Sequence, residues 1–486
     1  MFSKTTIRNL TIGFLIALIL ELCSPRAIFA QNAAAIKISG TAGAVSTRYI
    51  GAVEGNINFD LKDLQDLGIN TYRIYGGMSR WEREDDDGKY GWPSIDEIKI
   101  NPNLINWAYW DKIMTDPPQG SDYSWSGEPG TVWKGNARTI FNTLKQANIR
   151  PVVTIRNVDD TWNPSWALQL NPPRAKEDWN EWWEHVFATV YWLNVRNDYG
   201  VDDWEIHNEP DNRAQGWGGT RADYFELVKV AKDAIDFVYK TYLPSRAYRI
   251  HGPKTVGGSN WPEAALSEIP NYFDTVNVHN YDADISNYTR RVRGWMNATA
   301  AAKSPLWVGE WGSYEISYND FSLALSLIKN LIRGSGPDNY IYGSHIFCLY
   351  DWGKPELAEG LIGKGGKRRA GYYALRMGIR ALQGGRPSFF PIANNPDLMA
   401  VATLDASNNV YLLAVNDRAK SYTVSADISA LITAGKGTVR EFSLRAMDEV
   451  VGSLSLKAGN ATFSVAGNSA ILIKFVSAAL EEDRQN

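Results

Sequence analysis

The chain has 486 residues, 44% of them hydrophobic and 21% charged, with a formal net charge of −4. That is the composition of a globular protein rather than a disordered one, and the length exceeds the ~250–300 residues at which single cores stop growing, so more than one domain is expected. Mild acidity excludes the basic footprint that binds nucleic acid or an anionic membrane, while 19 Trp and 24 Tyr mark an aromatic excess.

Lys4 and Arg8 precede an apolar run at 10–20 that is short for a membrane span, and Ala27-Ile28-Phe29-Ala30 offers a cleavage site. Residues 1–30 are therefore expected to be a signal peptide, with an uncleaved anchor as the alternative. The mature product is expected to be secreted or periplasmic and free of the membrane. Cleavage removes Lys4, Arg8 and Arg26 against Glu21, moving the net charge from −4 to −6. It also removes Cys23, leaving Cys348 between Phe347 and Leu349 as an expected buried thiol with no disulfide partner.

Residues 31–47 form an N-terminal segment in which Ile36-Lys37-Ile38 is a candidate strand for the C-terminal domain. From 48 to 383, apolar runs alternate with amphipathic helices. The first run is 49–53. A helix over 59–67 places Leu61, Leu64 and Leu67 on one face, and Gly68 stops it. The second run, 71–75, leads into a long insert, about 76–134, that holds Trp81, Trp92, Trp107, Trp110, Trp125 and Trp133 without evident secondary structure; loops of that length are usually functional. Glu82, Glu84, Asp85, Asp86 and Asp87 crowd its start. Asp85-Asp86-Asp87-Gly88 lacks the spaced ligands of a calcium loop, so a solvated turn without metal is expected.

The rhythm continues with a helical stripe of Ile140, Leu144 and Ala147, a third run at 151–156, and a helix over 178–197 with Trp179, Trp182, Trp183, Val186 and Phe187 at helical spacing. Runs at 204–207, 255–258, 275–279, 306–310 and 345–349 complete the set, with a helix at 221–240. Eight runs separated by helices predict an α/β fold, a (β/α)8 TIM barrel. The rival, an open doubly wound sheet, lacks its glycine-rich phosphate loop after the first run. Beyond Gln383-Gly384-Gly385-Arg386-Pro387, short alternating runs about ten residues apart predict a small β-sandwich over 388–478, followed by a polar tail at 479–486.

Two of the barrel runs end in carboxylates. Trp204-Glu205-Ile206-His207-Asn208-Glu209-Pro210 closes one, and Leu306-Trp307-Val308-Gly309-Glu310-Trp311-Gly312 closes another 101 positions later (310 − 209). C-terminal strand ends converge on one face of a barrel, so Glu209 and Glu310 are expected to meet. A carboxyl that protonates a leaving oxygen, opposite one that attacks a sugar, is what a retaining glycosidase requires. Arg73, His279-Asn280-Tyr281 and Tyr350-Asp351-Trp352 are further notable strand ends. Each has a plainer alternative: Arg73 as a surface ion pair, His279 and Tyr281 as satisfied polar groups, Trp352 as core. Glu205, mid-strand, and Glu315, in the loop after the seventh run, are rival carboxylates. His207 alternates with Asn208 and is expected to pack rather than react.

The Asn-Glu-Pro after strand four, His-Asn-Tyr after strand six, Gly-Glu-Trp after strand seven and Trp on strand eight resemble the clan of retaining (β/α)8 glycoside hydrolases, over roughly residues 48–380. With its appended sandwich the chain is most similar to glycoside hydrolase family 39. The resemblance implies Glu209 as acid/base and Glu310 as nucleophile, the first keeping its proton and the second staying ionised. It implies that Arg73 and Tyr281 stabilise Glu310, Asn208 donates to the sugar 2-hydroxyl, His279 orients polar neighbours and Trp352 floors the reacting sugar. Trp311 joins the substrate-binding set. The insert with Trp81 and its five further tryptophans is expected to build one stacking wall, joined by Trp162, Trp166, Trp217 and Trp261, the alternative being that about half of these rings are a local core. The clan's strand-three His is missing from Thr154-Ile155-Arg156-Asn157, which sets aside a cellulase-type specificity. The implied activity is double-displacement cleavage of a β-linked polysaccharide or oligosaccharide, endo-acting, with no metal or organic cofactor. A transglycosylase and a catalytically silent carbohydrate-binding barrel remain the alternatives, and sugar identity and oligomeric state stay open.

Overall fold

The computed structural model describes residues 32–53, 60–82, 86–115, 136–156, 171–213, 217–313, 315–351, 359–393 and 395–477. The expected signal peptide and Trp125, Trp133, Trp162, Trp166 and Trp352 lie outside these residues. No helix among them is long and apolar enough to cross a membrane.

Eight parallel strands close into a barrel, confirming the TIM-barrel reading: Tyr49–Val53, Thr71–Tyr75, Arg150–Ile155, Asp203–Ile206, Arg249–Thr255, Thr275–Asn280, Leu306–Gly312 and Gly343–Phe347. They are called strands one to eight below. Helices wrap the outside, and their ends follow local chemistry. The Asp60 side chain accepts from Lys62 N to start Leu61–Leu67, and Gly68 ends it at φ 81°, a left-handed conformation that glycine adopts without penalty. Thr220 and Asp223 form a capping box ahead of Arg221–Tyr242, whose Phe225, Val228, Ala231 and Ile235 are buried.

Two expectations need correction. Strand five is Arg249–Thr255, upstream of the run expected at 255–258. Its inward residues are polar: His251 Nε2 lies 2.8 Å from Asp203 Oδ1, and Lys254 Nζ 2.8 Å from Glu205 Oε2. A strand facing a charged interior shows no apolar pattern. The insert after strand two also has secondary structure of its own, with helices Ile95–Ile100 and Trp107–Thr115, the first opened by a Ser94–Glu97 capping box. Trp110 belongs to the barrel's hydrophobic core.

The second unit is a two-sheet sandwich. A seven-stranded sheet runs, in spatial order, Met447–Ser455, Gly435–Phe442, Ser469–Ser477, Val410–Asn416, Leu398–Leu404, Pro387–Phe389 and Ala44–Val45. The facing sheet is Pro391–Ala393, Asn32–Ile38, Tyr422–Asp427 and Asn460–Val465. Successive side chains alternate between faces. On Val410–Asn416, Leu412 and Ala414 therefore enter the sandwich core, while Leu413 and Val415 join the barrel's core. Phe442 stacks on Phe321 of a barrel helix with ring centres 4.7 Å apart, and the buried Asp448 carboxylate accepts from Arg376 Nε at 2.6 Å.

Candidate active site

Arg73 and Tyr75 stand two residues apart on strand two and so share its inward face. Arg73 is fully buried, which removes the surface-pair alternative. Its Nε donates to Glu205 Oε2 at 2.6 Å, Nη1 to Glu310 Oε1 at 2.5 Å and Nη2 to Asn208 Oδ1 at 2.8 Å. One rigid guanidinium thus ties strands two, four and seven together.

Glu205, the mid-strand rival, is the anchor of this arrangement. Besides Arg73 it takes Lys254 Nζ at 2.8 Å and the Thr154 hydroxyl at 2.6 Å on Oε2, and Asn277 Nδ2 at 2.7 Å on Oε1. Burial raises its pKa, but the Arg73 and Lys254 charges outweigh that and hold it well below the usual carboxylate range. Burial in turn brings Lys254 down to about 7, with Arg73 adding to the drop and Glu205 opposing it. Both carboxylate oxygens of Glu205, which is 0% exposed, are thus engaged within the protein. The other rival, Glu315, is exposed.

Strand seven delivers Glu310 through a bulge. Val308 pairs with Val278 and Glu310 with His279, so Gly309 is the extra residue. A Cβ on Gly309 would meet Asn277 Oδ1 at 2.6 Å, so the bulge is closed to any larger residue without rearrangement. The Tyr281 hydroxyl donates to Glu310 Oε2 at 2.6 Å and the Tyr75 hydroxyl to Oε1 at 2.7 Å. Burial raises the Glu310 pKa, yet the His279 and Arg73 charges and the two tyrosine hydrogen bonds bring it down to about 2. Burial and the neighbouring Glu310 push both tyrosines well above their ordinary value, so both remain donors.

Glu209 follows strand four in a left-handed turn, φ 43°, its N–H donating to Lys254 O at 3.1 Å. Its Oε1 lies 2.7 Å from His279 Nδ1, and its Oε2 accepts from Asn212 Nδ2 at 3.1 Å. The same His279 nitrogen is 3.4 Å from Glu310 Oε2. One carboxylate oxygen from each glutamate and a His279 nitrogen all fall within 4.8 Å of one another. So close an approach of the nearest oxygens suits the short carboxyl separation of retaining enzymes, about 5–5.5 Å. The trio has the spacing of a metal-binding set, but Arg73, Tyr75 and Tyr281 already balance Glu310. Asn208 has its Oδ1 pinned by Arg73, which leaves its amide nitrogen as the group able to donate to a ligand.

The expected aromatic wall is not what the described tryptophans form. Trp81, Trp217 and Trp311 are only 2%, 2% and 1% exposed. The Trp81 ring fills the space where Gly76 lacks a side chain. Trp217 packs edge-on to His207, ring centres 5.0 Å apart. Trp261, like Trp92 and Trp107 of the insert, is half-buried. His207 is pushed well below its usual range by burial and accepts from Asn208 N at 2.8 Å, a packed neutral ring. Cys348 is a buried thiol donating to Tyr350 O at 2.9 Å. Sequence reasoning missed Tyr75, Thr154, Lys254 and Asn277. The i, i+2 relation of Tyr75 to Arg73 was available as a signal.

No family model matches the chain. A curated β-xylosidase from Caldicellulosiruptor saccharolyticus is 28% identical over 123 residues, which is 24% of this chain and 23% of that protein. The chain thus matches about a quarter of that relative's length. Among solved structures, a glycoside hydrolase family 39 β-xylosidase from Caulobacter crescentus superposes with a TM-score of 0.64 at 17% identity, covering 91% of this chain and 99% of that one. A family 30 endoxylanase from Clostridium papyrosolvens superposes at 0.60 with 13% identity, covering 92% and 100%. At such identities the likeness is one of architecture, and in architecture the chain, barrel and sandwich together, resembles glycoside hydrolase family 39 and its neighbours.

Proposed function

We propose that this protein is a retaining glycoside hydrolase that cleaves β-linked glycans through a covalent glycosyl-enzyme. The observation that carries the reading is the pair of carboxylates within 4.8 Å, one of them held ionised at about 2. In the first step the Glu209 carboxyl gives its proton to the leaving oxygen while a Glu310 oxygen attacks the anomeric carbon. In the second, Glu209 takes a proton from water, which displaces Glu310. His279 stands between the two, its Nδ1 2.7 Å from Glu209 Oε1 and 3.4 Å from Glu310 Oε2, and holds them in register. The Asn208 amide faces the sugar 2-hydroxyl, a contact that strengthens as positive charge develops at the anomeric carbon. Arg73, fixed by Glu205, keeps the nucleophile in place.

The substrates to try first are β-xylosides and xylo-oligosaccharides, because the curated relative and structural neighbours are named for xylosidase and xylanase activities. Endo attack was expected from loop aromatics; three of those now lie in the core, so product size carries that question. Export by the 1–30 segment belongs to the same proposal. For the test, a glycan panel with mass spectrometry of products is run on the wild type and two variants. Glu310→Gln should lose at least about a thousandfold in turnover and accumulate no glycosyl-enzyme. Glu209→Gln should lose natural substrates yet keep aryl glycosides whose leaving group needs no proton. Two fully active variants would end the proposal, and products lengthened by an acceptor sugar would turn it toward a transglycosylase.

A further inference from the structure

The acidic stretch after strand two does not lie free in solvent. Residues 86–91 run onto the helix Lys176–Tyr191, where the Tyr90 hydroxyl donates to Asp178, Gly91 N donates to Glu181, and Asn180 Nδ2 donates to Gly91 O at 3.0 Å. Gly91, at φ 77°, is required there, since a Cβ would meet Glu177 Cβ at 2.5 Å. Asn106 Nδ2 holds the other end through Asp86 O at 2.6 Å.

This strap brings Asp86 and Asp87 against Glu184. One oxygen from each of the three carboxylates lies within 4.8 Å of the others. Glu184 is 2% exposed, and its Oε1 meets no hydrogen-bond donor among the described residues. A buried carboxylate oxygen without a donor, facing further carboxylates, is among the costliest arrangements a protein can hold. The adjacent His185 does not serve it: its Nδ1 pairs with Glu82 Oε2 at 2.6 Å. Glu184 therefore needs a proton or a metal cation.

We propose that Asp86, Asp87 and Glu184 bind a hard divalent cation, calcium by preference, which fastens the loop after strand two to the helix after strand three. Carboxylate oxygens are hard donors, and calcium takes six to eight of them in irregular shells at about 2.3–2.6 Å, whereas magnesium demands a tight octahedron at about 2.0–2.1 Å. Oxygens up to 4.8 Å apart straddle a calcium ion comfortably, with backbone carbonyls or water filling the remaining positions. The site shares no residue with the Glu209–Glu310 pair and does not depend on the function proposed above. Its effect is on the strand-two loop, one strand end away from Arg73 and Tyr75.

The test is thermal unfolding of the mature chain at pH 7.5, stripped with chelator and then given calcium or magnesium at 1 mM. Tm should rise by about 2 °C or more with calcium and less with magnesium, and isothermal titration should count one calcium per chain. Glu184→Gln keeps the shape and removes the buried charge. In chelator it should melt at or above the wild type, and calcium should no longer move it. Asp87→Asn, at a half-buried position, must likewise blunt the rise, and it stands in should Glu184→Gln fold poorly. A wild type indifferent to calcium overturns the proposal. So does an undiminished rise in Glu184→Gln, which would put the ion elsewhere, for instance on Glu209 and Glu310.

Discussion

Tyr281 and Tyr75 each place a hydroxyl on a different oxygen of Glu310, and their removal has a direction that can be worked out. The folded pKa of Glu310 is depressed to about 2, so its ionisation favours the folded state at pH values above the unfolded value near 4.3, and that contribution is lost as pH falls toward 2. Taking away one donor raises the folded pKa. Tyr281→Phe and Tyr75→Phe should each move the acid limb of kcat/KM upward by about one pH unit, with the basic limb unmoved, as read from pH–rate profiles; an unshifted acid limb would show that the hydroxyls do not set this ionisation. At this scale the two glutamates, Arg73, Asn208, His279 and Tyr281 were visible as residue types at strand ends, since convergence at that end is a property of the barrel. What the tryptophans do was not visible. A Trp in a loop reads the same whether it stacks on a ligand or, like Trp81 against Gly76, fills a hole in the protein.

Strand seven owes the placement of Glu310 to a single missing side chain. Gly309→Ala would press a Cβ on Asn277 Oδ1, and Asn277 is the residue that holds Glu205 Oε1 at 2.7 Å. The expected cost is about 1–3 kcal/mol in urea unfolding, the usual penalty of overpacking, with a larger proportional loss in turnover because Glu310 is the next residue. Equal losses in both would mean the bulge matters only for folding. Strand five shows the limit of pattern reading at this scale. Arg249-Ile250-His251-Gly252-Pro253-Lys254-Thr255 contains almost nothing that predicts a strand, because its interior-facing groups pair with Asp203 and Glu205 rather than with oil. Missing that strand is also why Lys254 went unnoticed: a lysine has no claim on a site until the element under it is known. Strands one and two were legible to the residue because their alternate residues Ile50, Ala52, Tyr72 and Ile74 join the barrel's hydrophobic core.

The two units share one apolar interface. Phe442 lies on Phe321, and Asp448, 1% exposed, takes Arg376 and Arg380 at 2.6 and 3.2 Å. Burial of that kind couples their unfolding. A single calorimetric transition is expected for the wild type. Phe442→Ala should lower stability by about 3–5 kcal/mol and either shift that transition or split it in two. An unchanged midpoint would mean that the units fold independently.

The strand Asn32–Ile38 pairs parallel with Tyr422–Asp427 and antiparallel with Pro391–Ala393, so an early strand belongs to the unit that residues 387–477 complete. A ribosome therefore releases that strand long before its neighbours exist, and Ala34, Ile36 and Ile38 must wait uncovered. Cutting the gene after residue 386 to obtain the enzyme half alone would make the wait permanent and leave a sticky ribbon at the front. Anyone trimming the protein should start near Arg48 as well as stop early, or keep both ends.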